Sequence, residues 1–437
     1  MWRTLASGCS LVGVTGPVFS LRRAQSVLDF IEVDACFTGG CFAEGDDADF
    51  MFGLRVNGTI SKHQREFGGF KRDLKAMAAW LQELGVELVV MESTGIYWKS
   101  AHAHIERVGI PALVVNAHFI KYVPGRKTDM GDSEWLAVLA RFGLVRGSFI
   151  PPKDLRELRI LSRYRRKVSQ MLASETNRMH KVLEDGGIKL GAVVSDINGV
   201  SAREMVAGLI EGKPLGEMLA MARGSLKNKR DDLAASLDGD LSPRHLFVLR
   251  QLHEHVTSLE RQLAQMDAEL FQAMTPYHWA WVLLQTIPGI DAIASALILI
   301  EIGDDMSRFG DADRLASWAA LCLGNNASAG KRKSGKTRKG NAIVRYLLCE
   351  CANAARMTKS SLASKYRNLK VRKSHNKCIV AIAHKMIRII YFMLSRREPY
   401  RDPGVNYEAM SAQKNAPRWI KALKNIGNLP EATTASA

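Results

Sequence analysis

Three acidic residues stand where their carboxylates can serve a metal ion. Glu92 follows the apolar run 86–91, which is a predicted buried strand, while Asp129 and Asp132 are three residues apart at the predicted start of a helix. Residues three apart share one face of a helix, so both aspartates can reach one divalent cation. Helix capping by Thr128 or Asp129 is the alternative explanation for this pair. A strand carboxylate combined with a helical pair favours Mg²⁺ bound between carboxylates and phosphates.

A second group of reactive residues lies in segment 324–341, which is rich in glycine, lysine and arginine and contains no acid. Glycines permit close approach to a nucleic-acid backbone, and unneutralised cations attract phosphates. Ser328 or Ser334 could attack a phosphodiester if the surrounding positive charge activates its hydroxyl. The alternative is that both serines only hydrogen-bond to phosphate. The cations predicted to bind nucleic acid here are Lys331, Arg332, Lys333, Lys336, Arg338 and Lys339.

The elements that must position Glu92 form a predicted α/β domain. A β-hairpin is predicted over 50–67, and an amphipathic helix follows over 70–84. The apolar runs 86–91 and 110–115 flank a helical stretch, which predicts a β-α-β unit with buried parallel strands. The apolar face of the amphipathic helix consists of Leu74, Met77, Ala78 and Leu81.

Two long helices are predicted in the middle of the chain. The first follows Pro151 and Pro152 and has one apolar face and one cationic face. The second repeats apolar residues over 249–270 at alternating spacings of three and four, which is the pattern of a coiled-coil seam. Heptads do not reveal their partner, so a hairpin of the two helices and a subunit interface both remain open. The cations of the first helix are Arg156, Arg159, Arg163, Arg165, Arg166 and Lys167.

The region 279–401 is predicted to be helical and basic. It begins with a turn at 287–291 that resembles a helix-hairpin-helix, in which backbone amides face a phosphate. Asp291 replaces the second glycine that such a turn usually has, and an ordinary helix start is the competing interpretation.

Composition points to an anionic partner and to several domains. Lysine and arginine outnumber aspartate and glutamate by 61 to 44, giving a net charge of +17, and 437 residues exceed what one hydrophobic core organises. The longest apolar stretch, around 292–302, is too short to span a bilayer, which predicts no membrane partner. Seven cysteines without a C-x-x-C pair indicate neither a disulfide framework nor a zinc site, as expected in a reducing cytosol.

Taken together, these motifs resemble those of the DEDD family of transposases of bacterial insertion sequences, which are described as bridge-RNA-guided recombinases. The resemblance covers about 50–401 and rests on the motifs at 91–95, 124–132, 148–152, 287–289, 305–309 and 324–341. It implies an RNase H-like N-terminal domain, similar to Holliday-junction resolvases, whose four acids bind Mg²⁺. It also implies a coiled-coil linker and a C-terminal domain whose serine links covalently to DNA.

By this resemblance Glu92 is the second acid, Asp129 and Asp132 are the third and fourth, and Ser328 is the nucleophile.

The first acid departs from the family pattern. The family has an aspartate in a Gly-x-Asp strand shortly before the hairpin, where this chain has segment 41–49. Spacing to the predicted turn favours Asp46, with Glu44 and Asp47 close to it, whereas strand character favours Asp34 further upstream. Either an irregular strand delivers one of these carboxylates, or this copy of the element has an impaired site.

The resemblance implies an α/β plus all-α chain that inserts and excises its own element. Its expected partners are double-stranded DNA and a guide RNA, and it is expected to be a dimer or tetramer in the bacterial cytoplasm, at the nucleoid. The alternatives are a metal-dependent structure-specific nuclease or resolvase and a decayed, non-catalytic nucleic-acid-binding copy. The predicted regions are an extension at 1–29, the metal-binding domain at 30–150, the helical linker at 151–278, the transposase domain at 279–401 and a tail at 402–437.

Overall fold

The computed structural model divides between Ile150 and Pro151 into two compact units, here called the N-terminal and C-terminal units. The residues that it describes are 37–38, 40–42, 49–51, 63, 65–93, 95–116, 136, 139–140, 142–324, 326–328, 331–334 and 336–425. A mixed α/β unit is thus followed by a helical one, as expected from the change in hydrophobic period near Pro151.

The N-terminal unit contains a parallel sheet in the strand order β1-β4-β5 and a separate antiparallel pair, β2 and β3. Its described elements are β1 (Phe37–Thr38), β2 (Gly40–Phe42), β3 (Asp49–Met51), α1 (Lys71–Glu83), β4 (Val89–Glu92), α2 (Trp98–Arg107) and β5 (Ala112–Val115).

The predicted β-α-β unit is confirmed. Strands β4 and β5 are parallel, with Val89 opposite Ala112 and Glu92 opposite Val115, and α2 connects them. Helix α1 covers the sheet, and its four predicted apolar residues are all buried. Most of the hairpin predicted over 50–67 lies outside the described residues, and 65–70 form no strand.

In its described residues, the C-terminal unit is helical apart from one β-hairpin. Its elements are α3 (Lys153–Asp185), α4 (Leu190–Val193), α5 (Val200–Glu211), α6 (Leu215–Ala220), α7 (Arg230–Leu237), α8 (Pro243–Ala273), α9 (His278–Gln285), α10 (Ala292–Ile302), α11 (Ala312–Trp318), β6 (Asn326–Ser328), β7 (Lys331–Ser334), α12 (Ala342–Ala355), α13 (Ser361–Lys370), α14 (His375–Arg396) and α15 (Tyr407–Asn425).

The two long helices, α3 and α8, pack antiparallel within this chain. Polar contacts fix their register: His245 Nε2 lies 3.0 Å from an Asp185 oxygen at one end, and Arg165 pairs with Asp267 further along. Ser242 starts α8 by accepting a hydrogen bond from the His245 amide. Pairing within the chain, one of the two arrangements that the heptads leave open, is therefore present in the structure, while a subunit interface stays a prediction. The coiled-coil geometry itself stays a prediction.

The expectation of one cationic face on α3 is only partly met. Arg165 points toward α8 and pairs with Asp267, whereas Arg159 and Arg163 contact Glu301 of α10. Helix α3 is long enough to be packed on two sides, so its arginines divide between two neighbours.

Helix α14 is long and apolar enough to cross a membrane by length and composition, and half of that stretch is buried inside the unit. It packs against α11, α12 and α13, and Ile382, Met386 and Ile390 are fully buried there. The sequence pattern indicated only the shorter apolar stretch 292–302. Burial on this scale is what the central helix of a globular core shows.

Candidate functional site

Glu92 is the last residue of β4 and lies beside Val115 at the end of β5. Side chains at the carboxyl ends of parallel strands emerge at one edge of the sheet, where α/β proteins bind their ligands. Glu92 is 8% exposed. Gly95 follows it with φ +53°, a left-handed conformation that turns the chain from β4 toward α2 and favours glycine. The strand therefore places a carboxylate where the sequence predicts one.

The other acids of the predicted metal site lie outside the described residues: Asp46, Asp129 and Asp132, together with the alternatives Glu44, Asp47 and Asp34. Among the residues that the structure does describe, no group of three or more histidine, cysteine, aspartate or glutamate side chains could hold a metal ion. The four-carboxylate site thus stays a prediction, with Glu92 as its described member.

Segment 324–341, the predicted phosphate-binding segment, contains the antiparallel hairpin of β6 and β7. Ser328 is the last residue of β6 and pairs with Lys331, next to the connection between the strands. Ser334 pairs with Asn326 at the other end of the hairpin. The two serines, equivalent by composition, therefore occupy opposite ends, and Ser328 is the one at the tip beside a lysine.

Two backbone hydrogen bonds join the segments that enter and leave this hairpin at its open end. The Gly324 amide donates to the Lys336 carbonyl over 2.9 Å, and the Arg338 amide donates to the Cys322 carbonyl over 3.1 Å. Gly340 packs so tightly that a Cβ there would lie 2.5 Å from the Trp318 carbonyl oxygen. This close approach requires glycine and holds the exit of the hairpin against the end of α11.

Asn341 then joins the hairpin to α12. Its side-chain oxygen accepts hydrogen bonds from the Ile343 and Val344 amides, as an N-cap residue does. Its backbone amide donates to the Trp318 carbonyl over 2.8 Å, and its Nδ2 donates to Glu301 Oε2 over 2.9 Å.

Glu301 is fully buried within α10 and is held by partners from two other elements. Arg159 Nε lies 3.2 Å from Glu301 Oε2, and Arg163 Nη2 lies 3.4 Å from Oε1. Arg159 also donates through Nη2 to the Glu301 carbonyl over 2.6 Å. Burial lowers the pKa of the Arg159 guanidinium, and the adjacent Glu301 opposes that shift. A buried charge needs such partners, since an isolated one is costly.

Sequence reasoning missed this cluster of Glu301, Arg159 and Asn341. The signals present were a lone acid inside the apolar stretch 292–302 and an asparagine directly before a helix. Neither signal identifies the distant arginine, because 142 residues separate Arg159 from Glu301.

The turn at 287–291 does not have the features of a phosphate site. Gly289, at φ +88°, packs against α12, where a Cβ would lie 2.5 Å from the Ala355 nitrogen and the Cys351 oxygen. Asp291 caps α10 by accepting from the Ala294 amide over 2.7 Å. Its carboxylate puts negative charge where a phosphate would bind, so the ordinary helix start is the better interpretation.

The motif at 305–309 is likewise structural. Asp305 accepts hydrogen bonds from the amide and the hydroxyl of Ser307, which lower the pKa of its carboxyl group. Met306 and Phe309 are buried, and the Phe309 ring lies 5.4 Å from that of Trp318. This turn thus supports the residue whose carbonyl holds Asn341.

Comparison with known families places both units in one class of enzyme. Residues 53–186 match a transposase model for DEDD transposases of the IS110 type. Residues 282–367 match the model described as Transposase IS116/IS110/IS902 family. The chain belongs to this family of insertion-sequence transposases, which is the family that the sequence motifs indicate. It is accordingly a DNA transposase.

Individual relatives agree with this assignment. The chain is 24% identical over 331 residues to the transposase for insertion sequence element IS1111A of Coxiella burnetii, covering 73% of this chain and 80% of the relative. It is 24% identical over 325 residues to a probable family 20 transposase of Pseudomonas aeruginosa, covering 72% and 86%. A putative transposase, y4qE, of Sinorhizobium fredii is 25% identical over 352 residues, covering 78% and 76%.

Proposed function

We propose that this transposase inserts and excises its own element by a strand exchange in which Ser328 becomes covalently joined to DNA. The observation that carries the proposal is the position of Ser328 at the hairpin tip, opposite Lys331 and above a base that is hydrogen-bonded on both sides. A serine opposite a lysine in the strand register is suited to meet a phosphate group.

In the proposed step Ser328 Oγ attacks a DNA phosphorus, losing its proton to a base as the new oxygen–phosphorus bond forms. The phosphodiester bond to one sugar oxygen breaks, and that oxygen takes up a proton as a hydroxyl. Attack by a hydroxyl of another strand on the serine ester then reverses the chemistry and releases Ser328. The number of phosphoester bonds is unchanged, so the exchange requires no energy-rich cofactor.

The cofactor of the proposal is Mg²⁺, held in the N-terminal unit by Asp46, Glu92, Asp129 and Asp132. Carboxylate oxygens are the donors that this ion prefers, and the buried Glu92 at the strand end fits such a role. Bound there, Mg²⁺ would neutralise charge on a phosphate. Glu44, Asp47 and Asp34 are the alternatives to Asp46.

The remaining features of the proposal come from the family resemblance. They are an RNase H-like fold for the metal-binding domain, a coiled-coil linker, a guide RNA that selects DNA sites, a homo-oligomer of two or four chains and action at the nucleoid. The same resemblance places the catalytic serine in the domain at 279–401.

A covalent adduct tests the proposal. The intact protein, incubated with Mg²⁺, element-end DNA and its RNA, should give a protein–DNA adduct that survives denaturation. Ser328→Ala should abolish the adduct, whereas Ser334→Ala, in the same hairpin at its other end, should retain it and only weaken DNA binding. A metal-dependent nuclease would cut DNA without leaving an adduct. An adduct that persists in Ser328→Ala, or that maps to a tyrosine, contradicts the serine mechanism.

A further inference from the structure

Beyond the hairpin, a row of cations extends from its base across α12 onto the long helix α3. Arg338 and Lys339 are exposed at the hairpin base, and Arg345 of α12 donates through Nη1 to Thr337 Oγ1 over 2.7 Å. The next residue of α12, Tyr346, is 43% exposed. The cationic character of the hairpin therefore continues onto the first turns of α12.

Helix α3 adds two arginines to the same region. The guanidinium carbon of Arg166 lies 4.3 Å from the centroid of the Tyr346 ring. Arg163, one turn earlier on the same face of α3, contacts Glu301 through one nitrogen while its side chain stays 47% exposed. Glu301 itself is fully buried, so its negative charge is not presented to a partner.

We propose that Arg163, Arg166, Arg338, Lys339, Arg345 and Tyr346 form one binding surface for duplex DNA, here called the linker–hairpin surface. This proposal rests on the proposed function and deepens it, because it assigns part of the DNA binding to the linker helix α3. Its members include five cations and no acid. The nearest acid on α12 is Glu350, one turn beyond Tyr346 and further from the hairpin.

The chemistry of this surface favours phosphates over bases. Guanidinium groups present several donors that match phosphate oxygens, and they are weakly hydrated compared with ammonium groups. The Nε of Arg166 is buried without a hydrogen-bond partner in the described part of the chain, while its guanidinium stacks on the tyrosine. Because Arg166 already covers one face of Tyr346, that ring is a poor platform for stacking single-stranded bases, so the duplex is the favoured ligand.

Salt-dependent binding tests the surface without requiring catalysis. Fluorescence anisotropy would follow the full chain binding a short DNA duplex of random sequence, and in parallel a single-stranded RNA of equal length. The double variant Arg163→Gln/Arg166→Gln should bind the duplex more weakly. In a plot of the logarithm of the association constant against the logarithm of the salt concentration, the magnitude of the slope should fall by about 0.9 for each phosphate that is no longer neutralised. Arg163→Lys/Arg166→Lys, which keeps the charges, should restore most of that slope.

The matched control is Arg250→Gln, which removes an exposed arginine of α8 outside the surface and should leave the slope unchanged. Lys339→Gln tests the hairpin side of the surface, which makes none of the described contacts with Glu301. This variant decides whether the surface binds DNA if thermal melting shows that the arginine variants are unfolded. An unchanged duplex slope in the folded variants, or an equally large decrease with the RNA, would overturn the proposal. Ser328→Ala should keep the full slope, so a failure of the serine mechanism stays separate from a failure of the surface.

Discussion

At the scale of single residues, Glu301 of the C-terminal unit is a buried charge that depends on its partners. Its carboxylate is fully buried, and its partners come from α3 and from the residue that caps α12. A buried ion pair stabilises little compared with well-packed apolar groups, but removing one partner leaves an uncompensated charge. We therefore expect the cluster to influence which elements pack together here more than it adds to overall stability.

This reasoning predicts the effect of Glu301→Gln. The variant leaves the buried Arg159 without its counter-charge, so the free energy of unfolding should fall by about 3–5 kcal/mol. Denaturant unfolding of the full chain measures this change. Glu350→Gln, an exposed acid on α12, is the control and should stay within about 0.5 kcal/mol of the parent. The double variant Arg159→Met/Glu301→Met should recover most of the stability. Equal effects of Glu301→Gln and Glu350→Gln would contradict the role assigned to the cluster.

At the scale of elements, two close backbone approaches hold the hairpin and the helices together. Gly340 packs against the Trp318 carbonyl, and Gly289 packs against the backbone of α12. Both approaches exclude a Cβ, so the positions of α9, α11 and α12 depend on residues that carry no side chain. A sequence shows such glycines only as breaks between helices.

A pair of glycine substitutions separates close packing from backbone strain. Gly289 and Gly212 both have positive φ, at +88° and +73°, but a Cβ at Gly212 meets nothing within 4 Å. Gly212→Ala should therefore cost only the left-handed conformation, about 1–2 kcal/mol. Gly289→Ala should cost clearly more, because its Cβ would lie 2.5 Å from backbone atoms of α12. Thermal melting of the two variants checks this order, and equal melting temperatures would show that α12 yields to the added atom.

At the scale of the whole molecule, the predicted acidic site and the predicted nucleophile belong to different units. Glu92 lies in the N-terminal unit and Ser328 in the C-terminal one. The proposed reaction therefore requires both units, and each should be inert by itself. This separation distinguishes the proposal from a nuclease confined to the N-terminal unit.

The effect of Asp132→Asn tests the acidic site at this scale. If Asp132 binds Mg²⁺, the variant should lose adduct formation while the fold and the binding of DNA are nearly unchanged. If Asp132 only stabilises a helix start through its charge, the expected result is a destabilisation of about 0.3–1 kcal/mol with activity retained. Asp311→Asn removes the negative charge at the start of α11 and provides the matched control, since α11 belongs to the C-terminal unit and the predicted metal site to the N-terminal one. Adduct yield and thermal melting are measured on both variants.

Local patterns in the sequence are enough to predict several elements and the family. Period-2 and period-3.6 patterns depend on neighbours in the chain, and so the β-α-β unit, the buried face of α1 and the two long helices were predictable. Motif spacing located Glu92 at a strand end and indicated the transposase family. These features follow from local chemistry, which one chain records directly.

How residues distant in the sequence come into contact is seen in the folded chain alone. It paired α3 with α8, put Arg159 on Glu301, and gave Gly289 and Asp291 packing and capping roles in place of phosphate binding. It also distinguished Ser328 from Ser334, because strand register and not composition sets which serine lies at the hairpin tip. The physical reason is that charge pairing, close backbone approach and register depend on three-dimensional neighbours, which hydrophobic period and residue type do not specify.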